Sequence, residues 1–177
     1  FKGTSIKIVG IAVTFQDQII SAFTLANLIR KKMPEVKIVL GGQMVTRCYT
    51  SMISHSGICR FFDYLALWEG EKIFVDIHRK EINGEGVTLV NVVDVRNKEQ
   101  EIVRKEGAPA GDEIPCPDLS DLNFNDYFFP EMLIPLQTTR GCYAACEFCA
   151  IPFGANSYRV RPAEKVLDDI LRIQEHT

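Results

Sequence analysis

The chain holds no apolar run long enough to cross a bilayer and nothing that reads as a signal peptide, so no membrane-spanning helix is expected within its 177 residues. It has no stripe of Lys and Arg. With 20 basic and 23 acidic residues the formal net charge is −3, which removes the electrostatic footprint of a nucleic-acid binder. It also lacks a second close pair of cysteines, the usual complement of a closed structural zinc site. The balance of 46% apolar and 24% charged residues is that of an ordinary globular protein of one or two domains. The first residue is Phe1 rather than Met, and the last helical pattern stops abruptly at Thr177; a piece of a longer protein is expected.

The chain is organised around Thr138 to Cys149, TTRGCYAACEFC. Cys142, Cys146 and Cys149 fall within eight residues, spaced C-x-x-x-C-x-x-C. Thiolates repel one another and oxidise readily, so crowding three of them implies a metal that they share. A closed zinc site takes four ligands, whereas an iron–sulfur cluster takes one thiolate per iron. Three cysteines can therefore hold a four-iron cluster and leave one iron open for chemistry. The alternative is a zinc knuckle on the C-x-x-C half, with Cys116 or His176 as fourth ligand; the middle gap is wrong for paired zinc ligands. Such a cluster also implies a reducing, cytoplasmic compartment, where a disulfide framework is not expected.

This stretch resembles the cluster-binding loop of the radical S-adenosylmethionine (radical SAM) enzymes, whose pattern is C-x-x-x-C-x-aromatic-C. Phe148 supplies the aromatic, and Arg140-Gly141 precede the first cysteine. The resemblance implies a 4Fe-4S cluster on Cys142, Cys146 and Cys149. It implies S-adenosylmethionine chelated at the open iron, with the backbone at Phe148 reading its adenine. The implied chemistry is cleavage of a carbon–sulfur bond to give a 5′-deoxyadenosyl radical, which abstracts hydrogen from an unactivated C–H bond. An electron donor such as flavodoxin or ferredoxin follows from it, as does a small-molecule or peptide substrate.

Upstream, Ile6 to Val13 and Val36 to Leu40 are nearly continuous apolar runs that suit strands buried on both faces, as does Phe61 to Leu67. Helical patterns follow each: Ile19 to Met33 with Pro34 just beyond, Gln43 to Ile53, and Glu69 to Lys80. This alternation predicts a doubly wound, Rossmann-like (flavodoxin-like) parallel sheet with flanking helices. In such sheets ligands bind beyond the carboxyl ends of the strands, where Thr14, Gly41-Gly42 and Glu69-Gly70-Glu71 fall. Each has a plain explanation as well: a tight turn for the glycines, and favourable anions at a helix N-terminus for the glutamates.

In order and spacing, the strand ending at Thr14, then VLGG, then EGE resemble the cobalamin-binding domain that precedes many radical SAM domains, over about residues 5–80. That resemblance implies Thr14, Gly41 and Gly42 along the groove for the nucleotide tail of cobalamin. The family's D-x-H-x-x-G loop is absent here, so no histidine is nominated as a cobalt ligand. His55 reads as a solvent-facing loop residue.

Val87 to Val95 and Glu101 to Lys105 read as a small antiparallel hairpin. Gly107 to Pro130 reads as an extended linker whose acidic residues (Asp112, Glu113, Asp118, Asp121, Asp126) form a solvated face and whose Cys116 is an unligated thiol. Cys48 and Cys59 read as helix and core residues. Leu133 to Thr138 is expected as the first strand of the radical SAM barrel. Pro162 opens a helix with Val166, Leu167, Ile170, Leu171 and Ile173 on its apolar face. Tyr158 to Ile173 resembles both cobalamin-type radical SAM enzymes and methylthiotransferases, with Arg159 and Arg161 steadying the cluster loop.

The expected organisation is a cobalamin-binding-like domain over 1–82, a hairpin and linker over 83–130, and the first β–α unit of a partial TIM-type radical SAM barrel over 131–177. The expected function is that of a radical SAM transferase, with methyl transfer or rearrangement as its reaction if cobalamin binds. A methylthiotransferase would need a second cluster from three cysteines in the N-terminal domain, and Cys48 and Cys59 have no third. A zinc-stabilised, non-catalytic binding module is the remaining alternative. Too little chain follows Cys149 for a whole barrel, so this piece alone is expected to be inactive.

Overall fold

The computed structural model describes residues 6–97, 110–119, 122–126, 133–144, 146–149 and 158–175. The chain forms two units: Phe1–Ala108 with Ala144–Asn156, and Pro109–Tyr143 with Ser157–Thr177.

In the first unit the apolar runs become β1 (Ile8–Ala12), β2 (Lys37–Gly41) and β3 (Tyr64–Ala66), separated by α1 (Gln18–Lys32) and α2 (Gln43–Ser54) and followed by α3 (Gly70–Asn83). The middle of β2 and all of β3 are buried, as continuous apolar strands covered on both faces should be. Side chains alternate across the pleat. Ile38, Leu40 and Leu65 pack with Ala22, Ala26 and Ile29 of α1 and Val45 of α2. Val39, Tyr64 and Ala66 pack with Ile73 and Ile77 of α3 on the opposite face. Helices therefore cover both faces of the sheet, the layering the sequence implies.

Two features of the sheet differ from expectation. The described strands follow in sequence order, β1-β2-β3-β4, so the order nowhere reverses and the described strands have no switch point of the doubly wound kind. Both crossover helices, α1 and α2, consequently lie on one face. The sheet is also mixed. Val92–Asp94 forms β4, which pairs antiparallel with β3 in the register Tyr64↔Asp94, Leu65↔Val93 and Ala66↔Val92. This segment was expected in a separate hairpin. It joins the main sheet because Val92 and Val93 alternate in step with β3 and bury on its two faces. The other half of that hairpin, Glu101 to Lys105, lies outside the described residues.

The third strand also begins later than its sequence suggests. Ile58–Arg60 forms a short 3-10 turn, and Phe61 and Phe62 pack edge-on against Phe23 with ring centroids 5.0 Å apart. Aromatic packing against α1 holds these residues outside the ladder.

The amino ends of the parallel strands are fastened by a buried carboxylate. Asp63, 1% exposed, accepts hydrogen bonds from the Ile38 N–H at 2.8 Å and from Arg30 Nη2 at 2.7 Å, and is ion-paired with Arg96. Arg30 also donates to the Val36 carbonyl at 3.0 Å. One side chain thereby joins α1, β2, β3 and the exit from β4, at the end of the sheet away from Gly41-Gly42.

In the second unit, Thr139–Arg140 (β5) pairs antiparallel with Arg159–Val160 (β6), and α4 spans Ala163–Glu175 behind Pro162. Leu133 to Thr138, expected as a barrel strand, has no ladder partner among the described residues. Regular pairing is confined to the two residues after it. Within α4, Val166 and Ile173 are half-buried, while Leu167, Ile170 and Leu171 are exposed. The expected apolar face is thus present in the helix but largely uncovered among the described residues.

Candidate functional site

The cysteine stretch leaves β5 through Gly141, whose φ of 86° turns the chain immediately before Cys142. Cys142 and Cys146 are exposed, Cys149 is half-buried, and none of the six cysteines is in a disulfide. The Cys149 N–H donates to the Cys146 carbonyl at 3.0 Å, which folds the C-x-x-C half into one tight turn. Tyr143 packs edge-on against Tyr158 at 5.4 Å, linking the chain entering the stretch with the chain leaving it. Phe148 is 93% exposed. Arg140 donates from Nη2 to Gln137 Oε1 at 2.9 Å. The boundary between the two units falls inside this stretch, between Tyr143 and Ala144.

As donors, three thiols in this spacing fit a four-iron cluster in type and number. Among the described residues, however, no three His, Cys, Asp or Glu side chains stand close enough together to hold a metal ion. Of the residues considered for a zinc site, Cys116 lies in the linker with its thiol near the Pro117 carbonyl, and His176 lies outside the described residues.

The second candidate region is the carboxyl edge of the sheet. The Val13 N–H donates to the Gly41 carbonyl at 2.8 Å, and the Met44 N–H to the Val13 carbonyl at 3.1 Å. These bonds bring Thr14, Gly41 and Gly42 to one place. The Thr14 and Phe15 N–H groups are capped by Gln18 Oε1 at 2.9 and 3.0 Å. Gly42 has φ 102° and ψ 170°, a conformation open essentially to glycine alone, and a Cβ there would lie 2.7 Å from the Val13 nitrogen and closer still to its carbonyl oxygen. A Cβ at Gly41 would meet Ala66 at 3.4 Å. The fold thus requires the glycine at position 42 whether or not a ligand approaches. Gly42→Ala is expected to lower the unfolding free energy by on the order of 3 kcal/mol, read from urea denaturation.

Sequence reasoning missed Trp68 at this same edge. It has φ 65°, rare for a bulky residue, and its N–H donates to Thr46 Oγ1 at 2.8 Å. No residue-type signal marks a left-handed tryptophan. Beneath the edge lies an apolar cavity of about 160 Å³, lined by Val13, Ala22, Phe23, Leu40, Met44 and Cys48 among others. Cys48 therefore faces apolar side chains, as expected. Cys59 does not: it is exposed in the 3-10 turn, with its thiol near the Ser56 carbonyl at 3.4 Å. His55 is an exposed helix cap whose Nδ1 lies 2.8 Å from the Ser51 carbonyl, the solvent-facing position expected of it.

Also unforeseen is a buried ion pair beside the cysteine stretch. Arg161 on the exit from β6 and Asp169 on α4 are 5% and 4% exposed and lie 2.5 Å apart. The Arg161 guanidinium holds the Asp169 carboxyl below the usual carboxylate range against the opposing effect of burial, and the Cys116 thiol also donates to it. Burial and that bond push the Cys116 thiol up, away from the reactive thiolate form. A depressed carboxyl stabilises the fold above its unfolded value and loses that contribution as pH falls through the folded one. Acid unfolding of the protein is therefore expected to have a component below about pH 4 that Asp169→Asn removes.

In sequence, the chain is 25% identical over 166 residues, 85% of its length, to a hopanoid C-3 methylase of Methylococcus capsulatus. It spans 29% of that protein's length. No protein-family profile matches the chain, and no solved structure does. No helix among the described residues is long and apolar enough to cross a membrane.

Proposed function

We propose that the protein is a radical SAM enzyme. The thiolates of Cys142, Cys146 and Cys149 would bind three irons of a 4Fe-4S cluster, leaving one iron for the amino and carboxylate groups of S-adenosylmethionine. The observation that carries this reading is the C-x-x-x-C-x-F-C stretch, three cysteines on one segment with an aromatic before the last. Similarity to a methylase supports it. When bound, the cluster and S-adenosylmethionine supply the 5′-deoxyadenosyl radical. This chain's own part is to hold the irons, present the backbone at Phe148 to the adenine, and set the cationic Arg140 beside the first cysteine.

Methyl transfer is the reaction we assign, with cobalamin as second cofactor along the edge that carries Thr14, Gly41 and Gly42. Hopanoid is the substrate named for the relative; the substrate class here stays a small molecule or peptide. Flavodoxin or ferredoxin would supply the electron, in a cytoplasmic setting. The methylthiotransferase reading has no further support, since Cys48 faces an apolar cavity and Cys59 sits in an exposed turn.

The test is turnover by the full-length parent protein, purified without oxygen and given a reductant, cobalamin and methyl-labelled S-adenosylmethionine. Formation of 5′-deoxyadenosine, with label retained on cobalamin, is the expected result. An iron-replete protein that forms no 5′-deoxyadenosine would overturn the radical assignment. One that forms it yet leaves cobalamin unlabelled and unbound would overturn the cobalamin assignment alone.

A further inference from the structure

The buried pair Arg161–Asp169 occupies a particular place. It sits at the neck of the segment 141–158, which carries all three clustered cysteines. The chain entering that segment is β5 and the chain leaving it is β6, and the two are paired through Thr139↔Val160 and Arg140↔Arg159. Arg161 extends this pairing by one residue and adds side-chain bonds to it. Its N–H donates to the Thr138 carbonyl at 3.0 Å, and its Nη1 donates to the Gln137 carbonyl at 2.9 Å as well as to Asp169. Its Nη2 reaches the Ile114 carbonyl in the linker at 3.3 Å. The linker lies close here too: a Cβ on Gly111 would fall on the Val160 carbonyl. One guanidinium therefore joins four segments: the entering chain, the leaving chain, the linker and α4.

A buried ion pair is a poor device for stability alone, because apolar residues of the same volume serve as well or better. What a guanidinium adds is geometry. Its donors form a rigid planar fork, and here both terminal nitrogens, Nη1 and Nη2, meet fixed acceptors. The geometry it fixes is the relative placement of Gln137–Thr138 and Arg161, the two ends of the cysteine segment. Three thiolates that share one cluster must be ordered against their mutual repulsion, and fixed segment ends reduce what has to be ordered.

We propose that Arg161 and Asp169 are a positioning pair for the metal loop: they hold its neck so that Cys142, Cys146 and Cys149 reach one cluster. This rests on the cluster reading above. Neither residue touches the metal; Arg161 acts through the main chain of Gln137 and Thr138, and Asp169 acts by orienting Arg161.

The experiment uses the full-length parent protein, reconstituted with ferrous iron and sulfide without oxygen. Its variants are Arg161→Met, Arg161→Lys, Asp169→Asn and the apolar double variant Arg161→Met/Asp169→Leu. The double variant leaves no unpaired buried charge and so keeps the fold testable. The readouts are the rate of iron loss to a chelator and the paramagnetic resonance spectrum of the reduced cluster. Arg161→Met and the double variant are expected to lose iron about tenfold faster than wild type, with an altered spectrum. Arg161→Lys should fall between, since it keeps the charge without the fork. A folded double variant with the wild-type rate and spectrum would overturn the proposal. A wild-type protein that takes up no four-iron cluster would overturn the reading beneath it, and is told apart because wild type itself then fails.

Discussion

Cys146→Ala in the full-length protein is expected to abolish cluster binding, and with it every trace of 5′-deoxyadenosine formation. The reason is arithmetic. A four-iron cluster on three thiolates already leaves one iron without a protein ligand. Removal of a second anchor leaves two irons open, and the other cysteines are placed otherwise: Cys48 faces an apolar cavity, and Cys116 lies in the linker with its thiol near the Pro117 carbonyl. Cys142→Ala and Cys149→Ala should behave alike, whereas Cys48→Ala and Cys59→Ala should retain wild-type iron. Iron and sulfide content, with the cluster's visible absorption, checks all five. A Cys146→Ala protein with a full complement of iron and normal radical formation would remove the basis of the assignment.

Asp63→Ala is expected to cause the largest loss of stability, on the order of 3–5 kcal/mol in the unfolding free energy. The substitution deletes an acceptor for the Ile38 N–H and strips Arg30 of its counterion while Arg30 stays partly buried between α1 and β3. Arg96 loses its partner too, at the exit from β4. Chemical denaturation of the protein gives the loss directly. Asp63→Asn should cost less, because an amide oxygen can still accept from Ile38. Because Asp63 lies at the amino end of the sheet, its variants should change stability without changing which cofactor binds. A Asp63→Ala protein with wild-type stability would show that the four-element junction carries no net energy.

The sheet was legible in the sequence as nearly continuous apolar runs. IKIVGIAV, VKIVL and FFDYLAL are such runs, and β1, β2 and β3 lie within or across them; β2 and β3 are buried as those runs imply, whereas β1, at the edge of the described sheet, is only half-buried to exposed. The helices followed from periodicity, with Met33 and Pro34 marking the end of α1. What sequence could not give was pairing. Nothing in Val87 to Val95 says that Val92–Asp94 will choose β3 rather than a hairpin partner, since register depends on a neighbour distant in sequence. The same limit hid the Arg161–Asp169 pair. Asp169 sits among the exposed residues of an amphipathic helix and reads as surface charge until β5, β6 and the linker close over it. Arg161 reads from sequence as a steadying residue, but its acceptors at Gln137 and Ile114 are backbone carbonyls, which carry no sequence signal. The cysteine stretch is the opposite case. Its chemistry is written in residue type and spacing, while the polypeptide's geometry adds only the tight turn from Cys146 to Cys149.

The carboxyl edge of the sheet lies between these extremes. Thr14, Gly41 and Gly42 do come together, yet Gly42 is already demanded by the Val13 backbone against it. A glycine pair after a strand therefore carries less functional information than its motif suggests.

The most direct measurement is a metal count on the full-length protein, purified and reconstituted without oxygen, taking iron, sulfide, zinc and cobalt together. The account predicts about four irons per chain, matched by sulfide and without zinc. Zinc in place of iron, persisting after iron and sulfide are supplied, would contradict it.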